Sequence, residues 1–450
     1  MKPYRGGQRI ANSGSTVVFA WGVKTPIRPL GAYSRSVVIV RHRTIVQLAI
    51  QVRGVFLIDR IIIVGAGPVG LVTAMLLAER EIPVLVLEAE AAINDDLRAS
   101  TFHPPTLDML APFGVTAQLI DQGLICPTWQ IRMHPGGEHA LFDLSVIADA
   151  TDHPYRLQCE QAKLARIVAD HLAGNELVEL RFNAPVVDLR QSNDRVCVGI
   201  GPEGEALDGR FVIGADGAGS FVRQAIGLDF KGMTYPETTV LVSTTFPFQD
   251  HIAGLSNVNY CWSPEGNFSL LRLKDFWRCS LYYDPSLTFA EATAEGRVQA
   301  QLNEIVHNPN GFEIVDRRPY RVHQRIVDDF RCGRVQLVGD AAHVNSPSGG
   351  MGLNGGIHDA FNLTDKLAGV WRGGDHALLD QYTRQRRPVV ASAILQQADR
   401  NRKRMTEKDP GARARSLQDM QRITADPALA RDHLLKSSMI DGLRTAEKLL

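Results

Sequence analysis

The clearest pattern in the chain begins with a mostly apolar run over residues 57–64, LIDRIIIV. Such a run is typical of a strand buried on both faces of a parallel sheet. A glycine-rich turn, GAGPVG, follows over 65–70, and a helical pattern then continues to residue 80. A second apolar strand over 83–87 ends at Glu88. This order of elements predicts a β-α-β unit.

The rest of the chain also alternates between helical and strand patterns. Residues 135–137 and 263–267 have the composition of hairpin turns. Residues 238–283 are predicted to form alternating, aromatic-rich strands, and polar helices are predicted from residue 375 onward. Further helices are predicted over 101–123, 161–173 and 287–306, and further strands over 129–145, 177–189, 195–200 and 211–213. The pattern as a whole predicts an α/β fold.

The charge is balanced overall but unevenly distributed. Residues 1–57 carry nine Lys or Arg and no Asp or Glu, so the remaining residues carry the other 40 basic side chains against all 49 acidic ones. An acidic body argues against nucleic acid as a partner. We expect residues 1–56 to be a basic extension outside the working fold, either disordered or produced by a start site placed too far upstream. A targeting segment is the alternative.

Cysteines and apolar segments bear on the compartment. The six cysteines are scattered without a Cys-x-x-Cys pair, which fits reduced thiols in a cytoplasmic protein. The histidines show no metal-binding spacing, so no metal site is predicted. The most apolar segment, residues 37–58, is interrupted by three arginines. We therefore expect no stable insertion into a membrane.

The first glycine motif, residues 65–70, has the chemistry of a dinucleotide site. Gly65 permits a tight turn, Gly67 lets a pyrophosphate approach the backbone, and Gly70 lets the helix pack closely on the strand. Glu88 lies at the end of the second strand, where its carboxylate can bind a ribose diol. Together these features predict dinucleotide binding, but they leave NAD and FAD both open.

The second motif, residues 214–223, reads GADGAGSFVR and follows another apolar strand. An acid and a glycine end the strand, and a serine and an arginine are spaced along the following helical turn. The alternative interpretation is an ordinary helix start that is capped by Asp216 or Ser220.

The third motif, residues 339–354, reads GDAAHVNSPSGGMGLN. Asp340, which we expect to be buried, can accept a hydrogen bond from a sugar hydroxyl. The helix expected to start near Gly352 offers free N–H groups and a partial positive charge to an electron-rich ligand. A plain strand-turn-helix with a glycine-rich loop is the alternative.

In this order, the three motifs resemble those of the single-component FAD-dependent aromatic hydroxylases, the para-hydroxybenzoate hydroxylase-like group of flavoprotein monooxygenases. The resemblance extends from about residue 57 to about residue 395. It implies a Rossmann-like FAD-binding domain, an inserted β-rich substrate domain and C-terminal helices. The ranges implied are 57–125, 150–234 and 315–395 for the FAD-binding domain, 126–149 and 235–314 for the substrate domain, and 396–450 for the C-terminal helical segment.

The resemblance also implies roles for single residues. The first motif cradles the FAD pyrophosphate, and Asp340 contacts the ribityl chain. The backbone of 352–354 faces the pyrimidine edge of the isoalloxazine, and the second motif serves both FAD and NAD(P)H. For Arg98 and Gln158, which match residues beside the flavin, a solvated side chain is the alternative. The implied cofactor-binding residues are Gly65, Gly67, Pro68, Val69, Gly70, Glu88, Arg98, Gln158, Asp216, Arg223, Asp340, Gly352, Leu353 and Asn354.

In that group the cofactor supplies the chemistry. NADPH or NADH reduces FAD, the reduced flavin reacts with O2 to form a C4a-hydroperoxide, and this species hydroxylates an activated ring. The resemblance therefore implies a monooxygenase acting on a small aromatic, phenolic substrate. Directly after an apolar strand, the position it takes in a β-α-β unit, G-x-G-x-x-G occurs once, at residues 65–70, so we expect NAD(P)H to dock transiently. A homodimer is left open.

The sequence says less about the substrate and catalysis. An arginine in the β-rich region can clamp a carboxylate, and a tyrosine can hold or deprotonate a phenol, which makes Arg272 and Tyr260 candidates. His103 is a third candidate, and Pro347 is expected beside the reactive ring. Core packing is the alternative for Tyr260, and a surface or helix-capping position is the alternative for His103.

Two other functions remain open at this stage. The first is a flavoenzyme of the same fold that hydroxylates or reduces a quinone precursor or a prenyl lipid. The second is a dinucleotide-binding protein without catalytic activity. The presence of Glu88, Asp216 and Asp340, together with the Gly352 turn, argues against the second of these.

Overall fold

The computed structural model describes residues 59–95, 99–202, 204–283 and 286–449, together with the strand backbone within 38–56. The side chains of residues 236–238 are outside this description. The chain divides into two units, Met1–Leu57 and Ile58–Leu450.

The strands in chain order are β1 (Val38–His42), β2 (Ile45–Ala49), β3 (Gln51–Val52), β4 (Val55–Phe56), β5 (Ile61–Val64), β6 (Val84–Leu87), β7 (Thr101–Phe102), β8 (Leu124–Cys126), β9 (Thr128–Met133), β10 (His139–Asp143), β11 (Arg156–Gln158), β12 (Val178–Arg181), β13 (Val186–Gln191), β14 (Val196–Ile200), β15 (Glu205–Gly209), β16 (Phe211–Gly214), β17 (Lys231–Thr244), β18 (Val258–Trp262), β19 (Phe268–Arg272), β20 (Trp277–Tyr283), β21 (Ile314–Ile326), β22 (Arg331–Cys332), β23 (Val335–Leu337) and β24 (His343–Val344).

The helices in chain order are α1 (Pro68–Ala78), α2 (Pro104–Leu110), α3 (Val115–Gln122), α4 (Gln161–Leu172), α5 (Phe221–Ala225), α6 (Phe248–His251), α7 (Phe289–Ala292), α8 (Glu295–Ile305), α9 (Met351–Trp371), α10 (Leu378–Val389), α11 (Gln396–Thr406), α12 (Pro410–Ala425), α13 (Pro427–Ser437) and α14 (Ile440–Lys448).

The first unit contains two hairpins among its described strands. Strand β1 pairs antiparallel with β2, and β3 pairs antiparallel with β4. The prediction that residues 1–56 lie outside the working fold stays a prediction.

A mostly parallel sheet forms the centre of the second unit and has the strand order β12-β6-β5-β16-β23-β22. Strand β5 lies parallel to both β6 and β16. Every residue of these three strands is buried, as expected for strands covered on both faces. The predicted β-α-β unit and the α/β fold class are confirmed, since α1 connects β5 to β6.

A second, eight-stranded sheet has the order β10-β9-β18-β19-β20-β17-β21-β24. Its hairpins at residues 134–138 and 263–267 agree with the predicted turns. Strand β21 was not predicted because its sequence, IVDRRPYRVHQRI, is polar and half-exposed; antiparallel pairing with β17 holds it in the sheet. All of it except Ile314 lies within 315–395, a range predicted for the FAD-binding domain, and the predicted domain boundaries stay a prediction.

Different helices cover the two faces of this sheet. On one face, Cys261 packs in a cluster with Val298 and Leu302 of α8. On the other, Val258 and Trp262 pack in a cluster with residues of α12, α13 and α14. Because successive residues of a strand point to opposite faces, β18 contributes to both clusters. The C-terminal helices predicted from residue 375 are present and close the second face.

One predicted helix is divided in the structure. Residues 101–123 form the short strand β7 and then α2 and α3, with Gly114 between them at a φ of +70°. Pairing of β7 with β11 starts the segment as a strand. A 3-10 turn over Ala111–Phe113, which ends at the left-handed Gly114, separates α2 from α3. Across the described residues, no helix has both the length and the apolar character needed to cross a bilayer.

Candidate cofactor site and adjoining cleft

The three glycines of the first motif differ in what a side chain would meet at each position. Gly65 has a φ of +105°, and a Cβ there would lie 2.5 Å from the carbonyl oxygen of Ala215. A Cβ on Gly70 would lie 2.0 Å from the carbonyl oxygen of Gly65. At Gly67, in contrast, a Cβ would meet no heavy atom within 4 Å. Sterics within the protein therefore explain Gly65 and Gly70, while Gly67 borders open space at the start of α1.

Glu88 fixes the loop that follows β5. The backbone N–H of Ala66 donates to Glu88 Oε2 over 2.7 Å, and that of Glu90 donates to Oε1 over 3.0 Å. Each carboxylate oxygen has capacity for a further hydrogen bond. The acid therefore holds the glycine turn and can still accept from a diol.

The polar groups of the second motif bind the protein's own backbone. Ser220 Oγ donates to Asp216 Oδ1 over 2.5 Å, and Ser220 caps α5 by accepting from the N–H of Arg223. Burial raises the pKa of Asp216, although these hydrogen bonds oppose the shift. The buried guanidinium of Arg223 donates to the carbonyl oxygens of Ala218 and Ala341. The motif thus ties the loop after β16 to the third motif, and the helix-cap interpretation describes Ser220 correctly.

The third motif forms a loop that ends at the N-terminus of α9. Gly350 precedes the helix with a φ of +68°, and no side chain caps the helix. The predicted start near Gly352 is confirmed within one residue. The first N–H groups of this 21-residue helix are therefore available to an electron-rich group. Asp340 is exposed, contrary to our expectation of a buried acid, because the strand ends before it.

Two buried amides hold neighbouring segments beside this helix start. Asn354 donates to the carbonyl oxygens of Thr101 and Gly350 over 2.8 and 2.6 Å. Gln158 is fully buried, and its Oε1 accepts from Thr101 Oγ1 over 3.1 Å. Gln158 Nε2 is buried without a hydrogen-bond partner. A buried donor of this kind needs an acceptor, and a bound flavin can provide one. Arg98 lies outside the described residues.

His103 is buried, and its ring supports the third motif. Its Nε2 lies 2.8 Å from the carbonyl oxygen of Gly349. Because a carbonyl only accepts, Nε2 carries the proton, and the buried Nδ1 has no partner. Burial, reinforced by the charge of Arg156, lowers the pKa of His103 to about 3. His103 is therefore neutral near pH 7, and it also precedes α2 as the helix-cap residue.

Asp359 forms the centre of a buried ionic network under the third motif. Its Oδ2 lies 2.6 Å from His343 Nε2 and accepts from the N–H of Gly339, while Arg386 Nε donates to Oδ1 over 2.7 Å. Burial works against the ionised carboxylate, but the nearby charges of Arg386 and His343 hold the pKa of Asp359 below its usual value. The network connects Gly339 and His343, at the start of the motif, to α9 and α10.

A cleft adjoins the third motif and is lined by residues from several strands and helices. Gly349 and Met351 contribute one wall. Trp129 and Tyr260 contribute a second, with their rings edge-to-face at 6.1 Å. The complete lining is Trp129, Ile131, Arg156, Tyr260, Gly349, Met351, Gln397, Asn401, Arg404, Met405, His433 and Ser437.

Of the four substrate-side candidates, only Tyr260 lines this cleft. Arg272 is half-buried, with its guanidinium 6.0 Å from the ring centre of Trp277. Pro347 is exposed within the third motif, and its carbonyl oxygen accepts from the N–H of Gly350. The structure brings the cofactor motifs together, but Arg272 does not line the cleft that Tyr260 lines.

Sequence reasoning missed most of the cleft. Arg156 precedes Gln158 by two residues on β11, so both side chains point to the same face of the strand. This periodicity is a signal that could have identified Arg156. Arg404 and His433 come from α11 and α13, far along the chain, and no local pattern marks them. Within the described residues, no cluster of His, Cys, Asp or Glu is suited to hold a metal ion.

The geometry of the site fits FAD at two places: one suits the pyrophosphate and ribose of the cofactor, and the other suits its flavin ring. The glycine turn with Glu88 suits a pyrophosphate and a ribose. The α9 N-terminus and the unpartnered Gln158 amide suit a flavin ring. A Rossmann-type sheet followed by these motifs, with an aromatic-lined cleft beside the third motif, is the arrangement that defines the class of FAD-dependent monooxygenases.

Comparison with known proteins gives the same class. A family model described as FAD binding domain matches residues 59–398. The 6-hydroxy-3-succinoylpyridine 3-monooxygenase HspB of Pseudomonas putida (strain DSM 28022 / S16) is 36% identical over 357 residues, which cover 78% of this chain and 90% of that protein. The para-nitrophenol 4-monooxygenase of Pseudomonas sp. (strain WBC-3) is 34% identical over 401 residues, covering 87% and 98%.

A solved structure is also similar. The crystal structure of p-nitrophenol 4-monooxygenase PnpA from Pseudomonas putida DLL-E4 aligns with a TM-score of 0.81 and 34% identity, over 86% of this chain and 98% of that one. The chain belongs to the FAD-dependent aromatic hydroxylases, the para-hydroxybenzoate hydroxylase-like group. It is an FAD-dependent oxidoreductase of the monooxygenase type.

Proposed function

We propose that this enzyme uses NAD(P)H and O2 to hydroxylate a single-ring phenolic compound held in the cleft beside the third motif. The observation that carries this proposal is the position of the cleft, which is lined by Gly349 of the loop before α9 and by Met351, the first residue of that helix. A ring bound there lies next to the expected flavin edge. The two relatives support a single ring, since their names specify a nitrophenol and a hydroxylated pyridine as substrates.

The cofactor residues have proposed roles that follow their surroundings. Gly67 lets the pyrophosphate approach the start of α1, where free N–H groups face it. Glu88 accepts from the adenosine ribose with the lone pairs that Ala66 and Glu90 leave free. Gln158 donates its unpartnered Nε2 to the flavin. Asp340 accepts from the ribityl chain.

Bound FAD supplies the activation of dioxygen and the transfer of one oxygen atom to the ring. The chain's own residues bind and orient the substrate and exclude water. Trp129 and Tyr260 present aromatic surface to the ring, and the positive end of α9 favours negative charge on the adjacent flavin edge. His103 positions Gly349 through its Nε2–H and takes no proton itself near pH 7.

We also propose that the enzyme is cytoplasmic, which its scattered, unpaired cysteines support.

A homodimer is proposed as its assembly state. Light scattering on the purified protein measures the mass directly, and a monomer mass at micromolar concentration would exclude the dimer.

The test of the cofactor proposal is Gly67→Ala. The φ of Gly67 is −67°, and the new Cβ meets no protein atom within 4 Å, so the fold tolerates the change. A methyl group in the path of the pyrophosphate should raise the dissociation constant of FAD by about 10-fold or more, equivalent to about 1.4 kcal/mol. Quenching of FAD fluorescence on titration measures the constant.

Gly296→Ala is the matched control, because a Cβ there also meets nothing within 4 Å and the residue lies in α8, away from the site. It should leave FAD affinity unchanged. Equal affinity in wild type and Gly67→Ala contradicts the assigned pyrophosphate position.

The reaction itself is tested by screening phenols for those that stimulate NAD(P)H oxidation and yield a hydroxylated product, identified by its mass. Oxidation of NAD(P)H without that product contradicts the proposal.

A further inference from the structure

The cleft beside the third motif contains positive charge without a matching negative charge. Its described lining includes Arg156 and Arg404, and it includes no Asp or Glu. Neither arginine forms an ion pair with an acidic side chain in the described parts of the chain. Placing cations out of water without a partner is costly. The cleft therefore has the electrostatic character of an anion site.

Arg156 is the more deeply placed cation. It is only 3% exposed, and its Nε and Nη1 atoms are buried without hydrogen-bond partners. Its guanidinium carbon lies 4.8 Å from the ring centre of Trp129, which orients it within the cleft by a cation–π contact. Unsatisfied, buried guanidinium N–H groups facing a cleft are suited to a bidentate oxygen ligand.

Arg404 approaches the same space from α11. Burial lowers its pKa, and its nearest electrostatic neighbours are Tyr260 and Arg400 rather than a carboxylate. His433 lies close enough to both Arg404 and Arg156 for their charges to add to burial in lowering its pKa to about 4. The histidine is therefore neutral near pH 7 and does not compete for an anion. It stacks on Phe142 with ring centres 4.7 Å apart.

We propose that the substrate is an aromatic anion whose negatively charged oxygen group binds between Arg156 and Arg404, with its ring against Trp129 and Tyr260. This deepens the proposed function and rests on it. The arginines act by binding and positioning the substrate; the hydroxylation itself belongs to the flavin. Arg272, the clamp suggested by sequence, has no part in this site.

The first experiment compares ligands that differ in charge and little else. The enzyme is loaded with FAD, and 4-hydroxybenzoate and 4-hydroxybenzamide are titrated in separate calorimetric experiments, with 4-hydroxyphenylacetate and its amide as a second pair. Because a hydrogen bond to a charged group is strong, at least one acid should bind roughly 10- to 100-fold more tightly than its amide. If neither acid is preferred to its amide, the proposal is overturned.

The second experiment removes each cation in turn. Arg156→Met and Arg404→Met should each remove most of the preference for the acid while changing affinity for the amide little. Arg404→Lys should retain part of the preference. Lys403→Met is the matched control: it removes a positive charge from the adjacent residue of α11, whose side chain is 69% exposed and pairs with Asp399. The control should behave as wild type.

The readouts also separate this inference from the function on which it rests. Arg156→Met and Arg404→Met should keep wild-type FAD affinity; a loss of FAD binding with no selective loss of the acid would show that the arginines serve the cofactor and overturn the inference. Failure of the wild-type chain to load FAD would overturn both proposals. A loaded enzyme that hydroxylates neutral phenols as well as anionic ones would overturn the inference alone.

Discussion

Asp359 is the residue on which the geometry of the third motif depends most directly. It is fully buried in α9, and one carboxylate oxygen serves both His343 and the N–H of Gly339, where the motif begins. The other oxygen accepts from Arg386. The charge on Asp359 therefore has partners on β24 and α10, and the loop between Gly339 and α9 is held at its base.

Asp359→Asn should destabilise the protein by about 3–5 kcal/mol, because it leaves the buried Arg386 charge uncompensated. Urea unfolding followed by circular dichroism measures the free energy. Asp365→Asn, on the same helix with a side chain 78% exposed, should change it by less than about 1 kcal/mol. Equal effects of the two substitutions would show that the buried network contributes nothing particular.

Single residues differ in how visible they are in the sequence. Gly65, Gly70 and Glu88 could be predicted because their requirements are local, set by a turn and the end of the next strand. Gln158 was recognisable only through the resemblance. Arg404 could not be found from the sequence, because its position in the cleft lining arises from the packing of α11 against a sheet whose strands come much earlier in the chain.

Helices α1 and α9 pack closely against each other in the described cofactor region. A Cβ on Gly356 would lie 2.7 Å from Val69 Cγ2 and 3.0 Å from the Cα of Gly339. The two helices approach at a point where only glycine leaves room. Their N-termini are the two positive helix ends of the proposed FAD site, so this contact sets the distance between them.

Gly356→Ala should cost about 1–3 kcal/mol of unfolding free energy, because the methyl group overpacks the crossing. Val69→Ala in the same chain removes one of the two clashing groups and should restore part of that loss. A double-mutant cycle on urea unfolding measures the coupling. Strict additivity of the two substitutions would show that Val69 is not the atom group in conflict.

Strands and helices were predictable where every residue is buried. They were less predictable where pairing with another strand determines the secondary structure. The first β-α-β unit follows from continuous apolar runs and glycine turns. Strand β21 escaped prediction because its polar sequence gives no alternation, and only its long pairing with β17 makes it a strand. The helix predicted over 101–123 was divided for a similar reason, since pairing with β11 converts its first residues into β7.

At the scale of the whole molecule, two buried histidines and the half-buried His433 connect stability to pH. Burial, with additional repulsion from nearby arginines, lowers the pKa of His103 and His358 to about 3 and that of His433 to about 4. The unfolded chain binds these protons near the ordinary value of 6.5. Acid therefore favours unfolding: the stability associated with neutral histidines is complete above about pH 6.5 and is lost as the pH falls below it.

Each such histidine should add about 1.4 kcal/mol per pH unit to the pH dependence of the unfolding free energy below pH 6.5. Urea unfolding at several pH values between 7.5 and 5 measures the slope. His358→Gln should lower this slope by about the contribution of one histidine. His307→Gln, at an exposed position, should leave the slope unchanged. A slope that His358→Gln leaves unchanged would mean that His358 is protonated in the folded protein.

Part of the cleft lining comes from a segment of the chain that follows the cofactor motifs. The match to the FAD-binding family ends at residue 398, whereas Arg404, Met405, His433 and Ser437 all follow that point. Under the proposed function, substitutions in the last helices can therefore change which ring the enzyme accepts without altering the cofactor motifs.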